Sequence, residues 1–152
     1  MTAMAAAPEA NPPVNQTNFF QVEIRGLSSP LELGYFLQIS GFSSQLDVLE
    51  YPEGGVNDFV HRLPTRIKQG NITLKRGVTK ESALYTWFME TVTKVTPTEL
   101  SIYVVDSESN VVKTMAFRNA YPVKWTGSDL NAGGNEFLTQ SLEIAHNGMK
   151  VT

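Results

Sequence analysis

Cysteine is absent from all 152 residues, which excludes disulfides, thiolate metal sites and cysteine nucleophiles together. Positive charge is in deficit: 12 Lys and Arg against 15 Asp and Glu leave a net charge of −3, which argues against a broad phosphate-binding surface and a specific nucleic-acid site. No apolar run approaches the ~18–20 residues that a bilayer-spanning helix needs, so no membrane segment is predicted. Met1 to Ala7 lacks the basic start and the apolar core of roughly 7–15 residues that mark a secretory signal, so the chain is expected to fold in the cytoplasm. Histidine is scarce too. His61 and His146 lie in unrelated segments, neither with a second histidine four residues on, so no zinc pair is set up.

The remaining chemistry-bearing patterns fail on their own terms. Asp106-Ser107-Glu108-Ser109-Asn110 has the alternating oxygens of an EF-hand start, but Val111 and Phe117 stand where that loop needs glycine and a bidentate glutamate. Gly54-Gly55 and Gly133-Gly134 do not sit between a strand and a helix with a following Lys-Ser/Thr, so neither reads as a phosphate cradle. No Gly-x-Ser-x-Gly elbow occurs. The expectation is a protein without enzymatic activity, with no catalytic residue, no metal and no cofactor.

What the chain does have is period-two alternation. Its length suits one domain with a core of its own. Residues 1–17, rich in alanine and proline, are predicted to be a flexible arm, and 18–152 the domain. Phe20, Val22 and Ile24 alternate with Gln21, Glu23 and Arg25 in a strand over Phe19 to Arg25. Tyr35 to Ile39 and Gln45 to Tyr51 read as strands, Pro52 to Gly55 as a turn, and Asn57 to Arg62 as a return that would make a projecting hairpin. Ile72, Leu74 and Arg76 alternate with Asn71, Thr73 and Lys75 in the next strand. Glu81 to Lys94 is the single predicted helix, with Leu84, Trp87, Phe88, Val92 and then Val95 on one stripe, Thr79 as its cap, and Glu81 and Lys94 favourably placed against its dipole. Strands follow at Glu99 to Asp106, Val111 to Asn119, Tyr121 to Thr126 and Phe137 to His146. The predicted core comprises Phe20, Val22, Ile24, Ile72, Leu74, Leu84, Trp87, Phe88, Ile102, Phe117, Leu142 and Ile144. The fold class is mainly β: a small antiparallel β-barrel or sandwich with one flanking α-helix.

Several phrases carry a likeness. Glu50-Tyr51-Pro52-Glu53-Gly54-Gly55, Arg62-Leu63-Pro64, Gly70-Asn71-Ile72-Thr73-Leu74-Lys75-Arg76-Gly77 and Phe117-Arg118-Asn119-Ala120-Tyr121-Pro122-Val123-Lys124-Trp125, in this order, closely resemble the tail-tube proteins of contractile phages and contractile injection systems. Type VI secretion tube proteins are similar in fold. The resemblance implies a structural subunit of hexameric rings that stack into an inner tube around a lumen for payload. It implies sheath, baseplate and terminator proteins as partners, and a place in a phage tail or tail-like particle. The specialised first ring that joins tube to baseplate, and a monomeric β-barrel binding module, stay open as alternatives.

Two sets of contact residues are expected. Tyr51, Pro52, Glu53, Gly54, Gly55, Val56 and Asn57 form a loop longer than a tight hairpin needs, flanked by aromatics, and so a candidate contact between subunits or rings. Glu53 would pair there with Arg62, Lys68 or Arg76 of a neighbour. Given the implied channel, Gln21, Glu23, Arg25, Asn71, Thr73 and Lys75 are the expected lumen-facing set, since strands with one apolar and one polar face suit a sheet between core and water.

Overall fold

Val22 and Ile24 are wholly buried and Arg25 is exposed, so the first alternation is realised as β1 (Phe19–Arg25). The computed structural model describes residues 19–25, 31–55, 57–78, 80, 82–130, 132–134 and 138–152, with backbone only at 31 and 32. The predicted arm, Val56, Thr79, Glu81 and Phe137 lie outside them. After β1 come β2 (Leu31–Phe36), β3 (Gln38–Ser40), β4 (Ser44–Tyr51), β5 (His61–Gln69), β6 (Ile72–Gly77), α1 (Ala83–Thr93), β7 (Thr98–Val105), β8 (Val111–Gly127), β9 (Thr139–Ala145) and β10 (Gly148–Val151).

The strands pair antiparallel in the order β2-β1-β7-β8-β9-β6-β3, with β10 on β8 beyond the end of β9, while among the described residues β4 and β5 pair only with each other. The two ends of that path, β2 and β3, are consecutive in the chain. Leu37 between them donates its N–H to the Lys75 carbonyl at 3.0 Å, so one short segment leaves β1 and meets β6. The sheet is therefore curled around a single core, sandwich-like, to which Val22, Ile24, Ile72, Leu74, Leu84, Trp87, Leu100, Ile102, Phe117, Leu142 and Ile144 all contribute. Phe20 and Phe88 are partly buried against it. The architecture is the mainly β, antiparallel, one-helix fold that the alternation predicts.

Several boundaries differ. Val111–Asn119 and Tyr121–Thr126 are one strand of 17 residues, not two; the expected break, at Ala120, directly follows Asn119, which takes φ 52 without interrupting the strand. This is a left-handed conformation that asparagine tolerates. Conversely, Tyr35–Ile39 is divided between β2 and β3, and the short β10 follows where no strand was expected. The helix is shorter than predicted, with Ser82 at its N-cap and Lys94 at its C-cap, just past the last turn. Its buried stripe is Leu84, Trp87 and Thr91, whose hydroxyl donates to the Trp87 carbonyl at 2.9 Å. Val92 and Val95, predicted to continue the stripe, are 65% and 58% exposed. The EF-hand-like run is a β7–β8 turn: the Asp106 carboxylate accepts the N–H groups of Asn110 and Glu108, each at 2.9 Å. Those bonds, Asn110's foremost, hold its pKa below the usual carboxylate value.

Candidate assembly surface

The β4–β5 ribbon is where this fold departs from a self-contained domain. Leu46 opposes Ile67, Val48 opposes Pro64 and Glu50 opposes Arg62, while Leu49 opposes Leu63 and Tyr51 opposes His61. Side chains alternate across a strand, so the first three pairs share one face and the last two the other. Each face carries apolar side chains beside charged ones, and among the described residues none of them joins the core. Leu46, Val48, Leu49, Tyr51, Phe59, Val60, Leu63 and Ile67 are all exposed, from 44% at Val48 to 64% at Ile67. A two-stranded ribbon is marginal in water on its own, and this many exposed apolar side chains on one element make it the candidate assembly surface. The return strand runs His61–Gln69, later than the expected Asn57–Arg62, so the connecting loop spans residues 52–60.

Two ion pairs and a histidine–carboxylate contact organise the ribbon from within. Lys68 Nζ lies 2.7 Å from Asp47, Arg62 Nε 3.5 Å from Glu50, and His61 Nε2 2.8 Å from Glu53, with the Phe59 ring edge-on to His61 at 5.0 Å. Within the subunit, three side chains of the expected cross-subunit pairing, Glu53, Arg62 and Lys68, have partners on their own ribbon: neighbouring carboxylates meet Arg62 and Lys68, and His61 meets Glu53. Arg76 is turned inward: it is 6% exposed, its guanidinium donates to the Leu33 carbonyl, and it lies over the Phe36 ring at 5.4 Å. It shares the inward parity of Ile72 and Leu74, and its long side chain reaches beneath β2 instead of to the surface. Tyr51, Pro52, Glu53, Gly54, Gly55 and Asn57 are exposed around the ribbon's far end.

The six polar residues expected on one channel wall form two separate groups. Arg25 pairs with Glu23 at 3.3 Å and donates to the Tyr103 hydroxyl at 3.1 Å, and that hydroxyl donates to Glu23 at 3.0 Å. Together with Gln21 they make an outward face of β1 and β7, where the bond from Arg25 is the main cause holding the Glu23 pKa low. Asn71 donates to Glu143 at 2.7 Å, beside a groove of about 390 Å³ that Thr73 and Lys75 line with Gln38, Ser40, Thr126 and Ser141. In sheet order β7, β8 and β9 lie between β1 and β6. Each alternation buries its apolar partners in the same core from a different part of a curled sheet, so the polar faces point away from it in different directions.

Sequence reasoning missed the place where ribbon and body join. Phe42 stacks on the buried Phe117 ring at 6.2 Å, and the His146 ring meets Phe117 edge-on at 4.9 Å. Burial pushes the His146 pKa down, with the Gly70 and Gly148 backbone opposing it in part. The only local signal was a glycine at each foot of the hairpin, Gly41 and Gly70. Among the described residues no group of His, Cys, Asp or Glu is placed to hold a metal ion.

The family model for the T4-like virus tail tube protein gp19 matches residues 16–150, spanning the ribbon, both polar faces and the helix. The chain belongs to this tail tube family. Among solved structures, a chain of the anti-feeding prophage baseplate is similar at 28% identity and TM-score 0.77, covering 94% of this chain and 97% of that one. A chain of the PVC sheath-tube complex, an extracellular contractile injection system, is similar at 22% identity and TM-score 0.75, covering 95% and 93%. Hcp1 from Flavobacterium johnsoniae, at 16% identity and TM-score 0.54 over 88% and 94%, shares the fold alone. No curated protein sequence matches the chain. This tail tube protein is thus a structural protein of phage tails and tail-like injection particles by family.

Proposed function

We propose that this tail tube protein assembles with copies of itself into hexameric rings that stack into the inner tube of a contractile injection system or contractile phage tail. The ribbon carries this reading. Two faces whose apolar side chains have no cover among the described residues call for a partner on each side, and a repeating assembly of one chain supplies both. Closing sheets between copies would also cover strand edges that otherwise pair without control. Of the two polar faces, the one holding Thr73 and Lys75 suits the lumen, because the side chains lining its groove include no large apolar group. Payload would pass along it, with sheath, baseplate and terminator proteins as partners of the finished tube. A first ring joined to the baseplate is the second reading, favoured by the likeness to a chain of a baseplate structure.

Electron microscopy of the purified chain across a concentration series tests the proposal. Rings or tubes with a six-fold end view are expected, and monomers at every concentration would overturn it. Rings that form but never stack would favour the second reading.

A further inference from the structure

Where the ribbon leaves the body, Gly41 approaches the Asn71 backbone and Gly70 approaches Ser43 more closely than a Cβ at either position allows. Gly41 has φ +91, and a Cβ added there would lie 2.1 Å from the Asn71 carbonyl oxygen. A Cβ at Gly70 would lie 2.0 Å from Ser43 Oγ and 3.2 Å from the Gly41 carbonyl oxygen. The Gly70 N–H donates to the Ser43 carbonyl at 2.9 Å, which locks the two legs together. Each leg is also tied to the body: the incoming one by Phe42 on Phe117, the outgoing one by Asn71 on Glu143. The glycines at the far end differ, since a Cβ at Gly54 or Gly55 would meet nothing within 4 Å.

We propose that Gly41 and Gly70 form a rigid root that fixes the ribbon's direction relative to the body, so that the free subunit already holds its ribbon aimed at the copies that will cover it. The root follows from the backbone approach alone; the aim rests on the ribbon being an assembly contact. A two-stranded element with no packing of its own would otherwise swing about its connections, and every orientation lost on docking would weaken assembly. A pinch that excludes even a methyl group removes that freedom before any partner arrives. Gly41 and Gly70 act here as positioning residues.

The absence of cysteine makes the test direct. Arg66→Cys on the ribbon and Lys113→Cys on the body, both exposed in the subunit, carry nitroxide labels whose separation is read by pulsed electron spin resonance on dilute, unassembled full-length chain. One narrow distance distribution is expected for the parent and for Gly54→Ala, and a shifted or broadened one for Gly41→Ala. Gly70→Ala should behave as Gly41→Ala does, and adding Ser43→Gly should return it toward the parent by removing the side chain that clashes. That rescue decides the matter if Gly41→Ala does not fold. A broad distribution in the parent, or a Gly70→Ala distribution that matches the parent, would overturn the rigid root. Shifted distances together with tubes that form as in the parent would leave the root standing and overturn the ribbon's role in assembly.

Discussion

Ile67 is the most exposed apolar residue of the ribbon, at 64%, and faces the same way as Leu46 at 50%. Fully burying an isoleucine side chain is worth about 1.5–3 kcal/mol. With nearly two thirds of that surface still in water, about 1–2 kcal/mol remains to be gained when a neighbour covers it. Ile67→Ser forfeits most of this gain. Each 1.4 kcal/mol is about tenfold in an equilibrium constant, so the concentration at which tubes begin to form should rise roughly 5- to 30-fold. The free subunit should hardly notice, because Ile67 contributes nothing to its core: surface changes stay within about 0.5 kcal/mol, or about 2 °C in melting temperature for a chain of this size. High-speed pelleting across a dilution series reads the first quantity and calorimetry of the dilute chain reads the second. A variant that pellets from the same concentration as the parent would refute the argument that this face is covered in the tube. A fall of many degrees would show that the ribbon packs on its own body.

Trp87, 3% exposed at the centre of the helix stripe, should cost about 3–5 kcal/mol when cut to alanine, visible as a lower urea midpoint with unchanged tube architecture in whatever protein still folds. Glu53→Lys sets a cation against His61 at an exposed site, so the circular dichroism spectrum should not change while electron microscopy shows shorter tubes; parent-length tubes would remove Glu53 from the assembly contact. The His146 pKa is lowered from 6.5 by burial, so the folded chain binds fewer protons than the unfolded one just below that value, and stability should fall as pH drops through it. His146→Phe should flatten this slope in urea titrations. The carboxylates Glu23 and Asp106, also shifted down, from 4.5 and 3.8, keep their contribution until much more acid conditions, when pH falls through their lowered values.

Strands with one buried face announced themselves. β1, β6 and β9 alternate because each has core on one side and water on the other. The parity of Arg76 with Ile72 and Leu74 even held the signal for its burial, though its charge suggested a surface role. The ribbon's second leg was harder to read for the opposite reason. With both faces outside the core, His61–Gln69 has no reason to alternate, and Pro64 with three cations masks its strand character. β10, at four residues, is too short to show a period. The polar alternations of β1 and β6 state that those residues face away from the core but not in which direction, so one expected wall became two. Contacts between segments far apart in the chain, such as Gly41 against Asn71, leave no local trace beyond the glycines themselves.

β8 is the one strand common to both halves of the curled sheet, paired with β7 and β10 over its first part and with β9 over its second. Neither half can open without stripping hydrogen bonds from the strand that completes the other. The body is therefore expected to open as a single cooperative unit, with the amides of its central strands exchanging through global unfolding. The ribbon, whose strands pair with each other, should exchange by its own local opening in the free subunit, and in the proposed assembly a neighbouring copy would seal it. Protection against exchange in β4 and β5 thus measures assembly, while protection in β8 measures the fold.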